Sequence, residues 1–425
     1  MGGHPTVVAG RHHRWPQIDE RDRAAVLRVL ESGVFSGPDA PEIVALQAEW
    51  GRYVGAEYCI AVNSGTAALH CCAAAAGLAP GDEVIVPALT FVATAMAIVH
   101  QGATPVFCDI APETYTLDAA LVTERISERT KAIVPVHLHG LPADMNELCA
   151  VAERHGLAVI EDAAQAHGAR YRGEMVGTLG HTAAFSLQAT KGLSGGDGGL
   201  FVTNDPHAWM VARRLTMFGE DADLAPGGFR AYWSHGVGWN YRAHELSAAL
   251  ARSQLARIDE FVSTAQANAQ VLSDGLSGVV GVKVPQVPDD RTSVFHKYRV
   301  VLDVGALGLE VKPAHVRDRL IKALRAEGVQ AVTWQLHPLP ALPAFRQPPT
   351  TWYPRQGRVE LSPWDPDEYP VATRILDGSM VIGSETAPLY VQDEALMKDY
   401  VRAIRRVMGR VDEILALPDE AVPAV

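Results

Sequence analysis

The sequence predicts an α/β fold: a large domain with a mostly parallel sheet sandwiched by helices, followed by a smaller C-terminal α+β domain. Three observations carry that prediction. Between residues 64 and 163, short and nearly unbroken apolar runs alternate with helical patterns. Strands that lose the polar–apolar alternation are those buried on both faces of a parallel sheet. A long helical pattern then covers 245–276 with no strand signal inside it, suited to a spine between domains. Strand and helix signals resume beyond it, and 425 residues leave room for two or three domains. The expected division puts residues 1–255, with an N-terminal arm, in the large domain and 256–425 in the small one.

The first helix of the alternating run, 64–77, opens on a serine N-cap, continues in alanines and closes on Gly77, a residue suited to ending a helix. EVIVP (83–87) is a strand, FVATAMAIVHQG (91–102) a helix, TPVFCDI (104–110) a strand and DAALVTERIS (118–127) a helix. KAIVPVHL (131–138) is a strand, MNELCAVAERHG (145–156) a helix and LAVIEDA (157–163) a strand. HTAAFSL and LFVT, flanking a lysine–glycine segment, are strands too. Right-handed crossovers place the strand-to-helix loops at one edge of such a sheet, beyond the carboxyl ends of the strands, where ligands bind. In the second domain HKYRVVLDV (296–304) is a strand and PAHVRDRLIKALRAEG (313–328) a helix, while the Pro- and Trp-rich 334–357 forms an irregular loop.

Composition narrows the class. Apolar residues make up 48% and charged residues 20%, the balance of a globular protein. No apolar run reaches the roughly eighteen residues of a membrane span. The N-terminus lacks the apolar stretch of a secretory signal, so a cytoplasmic enzyme is the expected class. A formal charge of −12 weighs against binding nucleic acid or an anionic membrane. Five cysteines do not suggest a disulfide framework. Cys71 and Cys72 fall in the alanine-rich helix, where thiols pack as small apolar groups, and no Cys/His spacing matches a metal site.

Three features stand at the predicted sheet edge. The segment AFSLQATKGLSGGDGGLFVT contains Lys191, in a chain that otherwise meets its need for positive charge almost entirely with arginine. A guanidinium does not deprotonate to act as a nucleophile, so a lysine kept there suggests a required primary amine, although an exposed loop lysine is the plain alternative. Lys191 precedes the glycines, unlike a P-loop lysine, and the glycines lead into a strand, unlike a Rossmann fingerprint. NSGT (63–66) opens a helix with Ser64, Gly65 and Thr66, which reads either as a simple cap or as a phosphate cradle. Asp162 ends a strand in VIEDAAQAHG, as a helix cap or as the partner of a buried cation such as a protonated pyridine nitrogen. Together the three meet the needs of pyridoxal 5'-phosphate: an amine for a Schiff base, a carboxylate for the ring nitrogen and an anion site for the phosphate.

The blocks NSGTAALH, GDEVIVPALTFVATA, AIVPVHLHG, VIEDAAQAHGA, AFSLQATKGLSGGDGGLFVT and GWNYRAHELSAALARSQLARID, in this order, resemble the DegT/DnrJ/EryC1/StrS sugar aminotransferases, a family of fold type I pyridoxal-phosphate enzymes. The resemblance covers nearly the whole chain. It implies that Lys191 is the Schiff-base lysine and proton shuttle, that Asp162 pairs with the pyridinium nitrogen and that Gln165 contacts the ring hydroxyl region. Ser64, Gly65, Thr66 and Ser186 would bind the phosphate, Phe91 would stack on the ring, and Asn240 would reach the phosphate in a neighbouring subunit of a homodimer. Arg242 is a candidate for the donor's α-carboxylate, and Phe35, in SGVFSGPD, is expected near the acceptor.

The implied activity moves an amino group from glutamate or glutamine to a keto-sugar or keto-cyclitol of secondary metabolism, such as antibiotic biosynthesis. Relatives that act as dehydratases carry histidine at the lysine position, so Lys191 favours transamination over dehydration or aromatisation. A non-catalytic paralogue of the same fold is the other alternative. His137, His139 and His167 are expected to be structural.

Overall fold

Strands that are apolar at successive positions need cover on both sides, and here helices supply it. The computed structural model describes residues 4–37, 39–220, 233–347 and 361–418. One sheet contains β1 (Tyr58–Val62), β2 (Glu83–Pro87), β3 (Thr104–Cys108), β4 (Thr130–Ile133), β5 (Ala158–Asp162), β6 (Thr182–Ser186) and β7 (Gly199–Thr203). Their order across it is β1-β7-β6-β5-β4-β2-β3. β2–β3, β2–β4, β4–β5 and β5–β6 pair in parallel, while β7 runs antiparallel to β1 and β6. Six strands therefore end at one edge of the sheet, and β7 begins there.

Helices α1 (Glu20–Ser32) and α2 (Pro41–Val54) precede the sheet. Its crossovers are α3 (Gly65–Ala75), α4 (Ala93–His100), α5 (Ala119–Arg125) and α6 (Met145–His155); α7 (Pro206–Thr216) and α8 (Glu245–Leu255) follow β7. Alternate strand residues go to opposite faces. Val84, Val86 and Ile160 pack with Leu69 of α3 and Ile98 of α4, and Cys71 and Cys72 are buried in the same core. Ile85, Ile133 and Val159 pack on the other face with Leu148 and Val151 of α6. Helix 64–77 begins and ends as its residues dictate: Ser64 accepts a hydrogen bond from the Ala67 amide, and Gly77 has φ 70°.

The pattern over 245–276 resolves into two helices instead of the single one expected. α8 stops at Leu255 and α9 (Ile258–Leu276) starts after Arg257, whose backbone (φ −120°, ψ 4°) is not helical. The interruption lets Arg257 face α1: its Nη2 lies 2.7 Å from Asp22 Oδ2 and its Nη1 3.0 Å from Asp19 Oδ2. Gln254 Nε2 donates to Asp22 Oδ1 at 3.0 Å. Helical periodicity could not reveal the break, because every residue across it is a tolerable helix former. A second tertiary contact starts α2, which has no side-chain cap of its own. The buried Glu245 carboxylate accepts from the amides of Glu42 (2.6 Å) and Ile43 (3.0 Å).

Beyond α9, the antiparallel strands β8 (Val282–Lys283), β9 (Tyr298–Leu302), β10 (Ala331–Val332) and β11 (Ser379–Ile382) pair in the order β8-β9-β11-β10. They share a core with α9, α10 (Pro313–Ala326) and α12 (Glu394–Met408); Val7 and Trp15 of the N-terminal arm pack in it as well. α11 (Pro370–Asp377) instead returns to the large sheet, where Asp109 accepts from the amides of Val371 (2.8 Å) and Ala372 (2.9 Å). The described part of the irregular segment after Trp334 contains one 3-10 turn, Leu339–Ala341; its residues 348–357 lie outside the described ones.

Replacing Asp22 by alanine leaves the buried Arg257 guanidinium short of its nearest counter-charge. The expected loss is about 3 kcal/mol of unfolding free energy, read from urea denaturation of the intact protein; a change within ~0.5 kcal/mol means that this pair does not hold α1 at the junction.

Candidate active site

The site is assembled where the six strands end. After β1 the chain turns at Ser64 into α3, whose first amides point past the sheet edge. Ser64 spends its hydroxyl on the Ala67 amide at 3.1 Å, leaving the Gly65 and Thr66 amides at the head of the helix dipole. A Cβ at Gly65 would stand 2.8 Å from Ser186 Cβ, and one at Gly199 would collide with the Ser64 carbonyl. Glycine at these two positions lets α3, the end of β6 and the start of β7 meet around one point. Helix amides and the Ser186 hydroxyl there form a cradle for an anion.

β5 delivers Asp162 to the same edge. It is 5% exposed, and its donors are neutral: Thr94 Oγ1 to Oδ2 at 2.6 Å and the Ala164 amide to Oδ1 at 3.1 Å. Burial pushes its pKa up, against those hydrogen bonds and the positive charge of Lys191. Lys191 follows β6 in a turn closed by its own amide to the Gln188 carbonyl (2.8 Å), and Trp15 Nε1 holds the Lys191 carbonyl at 3.1 Å. Burial lowers the ammonium pKa to about 8; Asp162 and Glu385 oppose the shift and Lys297 adds to it. A free amine is therefore available close to neutral pH, which arginine could not supply.

A cavity of about 340 Å³ joins these groups. Ser64, Gly65, Thr66, Phe91, Asp162, Gln165, Ser186 and Lys191 all line it. Gln165 is held by accepting from the His139 amide at 2.8 Å. Three expected residues are not brought there within one chain. Asn240 is exposed, its Oδ1 accepting from Arg242 Nε at 3.0 Å, and the Arg242 guanidinium lies 5.7 Å from the Phe218 ring centroid. Phe35 is 42% exposed, beside the His244 ring.

The three histidines have structural surroundings. His137 Nδ1 accepts from the Ala143 amide, so the proton sits on Nε2 and is donated to buried Glu161 at 2.9 Å. His139 Nε2 accepts from Arg299 Nε at 2.9 Å. His167 packs between Trp50 and Phe185, and burial lowers its pKa to about 3.

Sequence reasoning missed Thr94, His296, Lys297, Trp334 and Glu385. The last four line the cavity from chain far beyond Lys191, and Thr94 supports Asp162 from α4. One signal was present for Lys297: the scarcity of lysine that marks Lys191 marks it equally.

Asp162→Asn removes the charge that most raises the Lys191 pKa. The midpoint for amine reactivity should fall below about 8, measured as the pH dependence of amine labelling at Lys191 in cofactor-free protein. A midpoint that rises or stays fixed contradicts the coupling.

A poised amine, a buried carboxylate and an anion cradle converging on one cavity are the protein's share of pyridoxal-phosphate chemistry, and the protein is a pyridoxal-phosphate-dependent aminotransferase. The chain belongs to the DegT/DnrJ/EryC1/StrS aminotransferase family, which its residues 16–354 match. It is 39% identical over 363 residues to dTDP-3-amino-3,4,6-trideoxy-alpha-D-glucose transaminase of Streptomyces venezuelae, covering 83% of this chain and 90% of that one. Identity to L-glutamine:2-deoxy-scyllo-inosose aminotransferase of Streptomyces fradiae is 40% over 304 residues, 69% of this chain and 71% of that one. The crystal structure of an aminotransferase from Psychrobacter cryohalolentis superposes with a TM-score of 0.83 at 30% identity, covering 94% of this chain and 100% of that one.

Proposed function

We propose that the chain transfers an amino group from glutamate or glutamine to a keto-sugar or keto-cyclitol, in a cytoplasmic pathway of secondary metabolism such as antibiotic biosynthesis, and that it works as a homodimer. The observation that carries this reading is Lys191, an amine lowered to about 8 in a cavity shared with Asp162 and the α3 N-terminus. Relatives that act on a dTDP-sugar and on an inosose support the acceptor class.

The residues present fit the cofactor. The glycine at 65 leaves room for a phosphate between the α3 amides and Ser186, and Asp162 meets only neutral hydrogen-bond donors, so a ring N–H⁺ would give its buried charge a partner. When bound, pyridoxal phosphate supplies an aldehyde for exchange of amino groups and a protonated ring that withdraws electrons from the breaking Cα–H bond. Lys191 Nζ would hold the cofactor through its aldehyde, and as a free amine the same Nζ would carry the proton that leaves the donor's Cα. Thr94 fixes the Asp162 carboxylate and the His139 amide fixes Gln165, and Gln165 and Phe91 would hold the cofactor ring from the cavity wall.

Asn240 and Arg242 extend from a segment joined to the end of β1, where Asn63 donates to the Asn240 carbonyl at 3.2 Å. The exposure of Asn240 in one chain suits a reach into the partner subunit's cavity, with the half-buried Arg242 orienting the Asn240 amide. Phe35, on the same outward side as His244, is assigned to the acceptor entrance.

Lys191→Ala should lower amine transfer by about 10⁴-fold, since both the covalent attachment and the proton carrier are lost. Loss of the visible absorption of the bound cofactor should accompany it, and retained turnover would refute the assignment. Mixing Lys191→Ala with Asn240→Ala subunits tests the shared site. Each mixed dimer has one cavity with an intact lysine and an intact partner asparagine, so activity should return above that of either variant alone. Absence of complementation in demonstrated mixed dimers counts against a site built from two subunits.

A further inference from the structure

A transaminase holds two chemically different substrates in turn, and the Lys191 cavity contains one charged pair that the chemistry at Lys191 and Asp162 leaves unused. Lys297 Nζ lies 3.8 Å from Glu385 Oε1, and both residues line the cavity. Both are near enough for their charges to act on the Lys191 amine, Lys297 lowering its pKa and Glu385 raising it.

The two partners are unequally held. The Lys297 side chain is 8% exposed, whereas that of Glu385 is 60% exposed. The Lys297 ammonium sits 5.8 Å from the Trp334 ring centroid, and the Arg299 guanidinium lies 5.6 Å from the same centroid. Arg299, 2% exposed, donates to His139 Nε2 and to Ser379 Oγ, both neutral, and burial lowers its pKa to about 10. Its charge adds to that of Lys297, with no carboxylate among its hydrogen-bond partners. Glu385 reaches this positive region from a turn closed between Ser384 and Ala387, at the long limit of an ion pair. An exposed carboxylate at that distance contributes little binding energy. Lys297 is thus a confined cation with a loosely held counter-ion.

We infer that Lys297 binds the α-carboxylate of the amino-acid donor, and that Glu385 occupies that carboxylate's place when no donor is present. The inference rests on the assignment of Lys191 as the cofactor lysine. The donor's amino group replaces the Lys191 amine, and its carboxylate carbon is one bond from the Cα that carries that group. The receiving cation must therefore lie within a few Å of Lys191 Nζ, about the length of a charge-assisted contact plus two covalent bonds. Among the described residues of one chain that line the cavity, Lys297 is the lysine or arginine left once Lys191 is engaged. Arg242, the candidate from sequence, lies outside the cavity of its own chain and is tied through Nε to the Asn240 amide, the orienting role proposed for it above. Glu385 then explains how one cavity serves both halves of the reaction. A donor carboxylate displaces it toward water, and once the keto acid leaves, Glu385 returns and neutralises Lys297 before a polyhydroxylated, uncharged ring enters.

The test uses the holoenzyme with L-glutamate and L-glutamine as donors, and calorimetric binding of 2-methylglutamate, which has the carboxylate but no Cα–H to lose. Lys297→Met should raise the donor KM and the 2-methylglutamate Kd by about 100-fold, the usual consequence of removing the partner of a buried charge. Lys297→Arg should recover most of that loss. The acceptor KM should change far less than the donor KM. Glu385→Gln should act in the opposite sense, lowering the 2-methylglutamate Kd by about 3- to 10-fold by removing the competing carboxylate. A donor KM unchanged within about threefold in Lys297→Met, equal rises for donor and acceptor, or weaker binding in Glu385→Gln would overturn the inference. Failure of the underlying Lys191 assignment is separable, because it shows as normal cofactor absorption and turnover in Lys191→Ala.

Discussion

The structure depends on keeping an amine and a carboxylate together in a site that is largely out of water. Burial alone drives Lys191 toward its neutral form and raises the pKa of Asp162, and each is partly restored by the charge of the other. Neither residue could be held so without a rigid scaffold, because exposed loop side chains would turn to solvent. Asp162 is therefore the last residue of a strand, locked by Thr94 and the Ala164 amide, and Lys191 follows the next strand in a turn pinned through its carbonyl by Trp15. The parallel register of β5 and β6 sets the distance between the two segments.

The rest of the fold serves that edge. α3 brings its amides to the same point because glycines at 65 and 199 allow a separation that a Cβ would forbid. The smaller sheet delivers Lys297 and His296 immediately before β9, and the N-terminal arm crosses back so that Trp15 packs on Phe261 and Tyr390 while bonding to the Lys191 carbonyl. Tyr390 in turn bonds His296 Nδ1 at 2.9 Å. The cavity is thus framed by segments from opposite ends of the chain, and disturbance of the arm would be felt at the lysine.

Charge is distributed with the same economy. Some cations of the acidic chain are paired with carboxylates at junctions, as with Arg252 between Glu42 and Glu49. Lys297 and Arg299 are buried cations beside an indole, one with a distant carboxylate and the other with neutral partners. Such groups cost stability when left alone, and a substrate carboxylate gives one of them a reason to be there.

Local chemistry in the sequence determined much of this. Apolar runs fixed the strands, Ser64 and Gly77 fixed the limits of α3, and a lone lysine before glycines, with a strand-end aspartate, marked the reactive edge; these signals depend on neighbours a few residues apart. Tertiary structure alone decided the break at Arg257, which answers to Asp22 more than 200 residues earlier, and the start of α2, capped by Glu245. It also decided that Lys297, Trp334 and Glu385 share the Lys191 cavity, while Asn240, Arg242 and Phe35 lie outside it in the single chain. Those choices arise from contacts between segments distant in sequence, and periodicity and propensity carry no information about them.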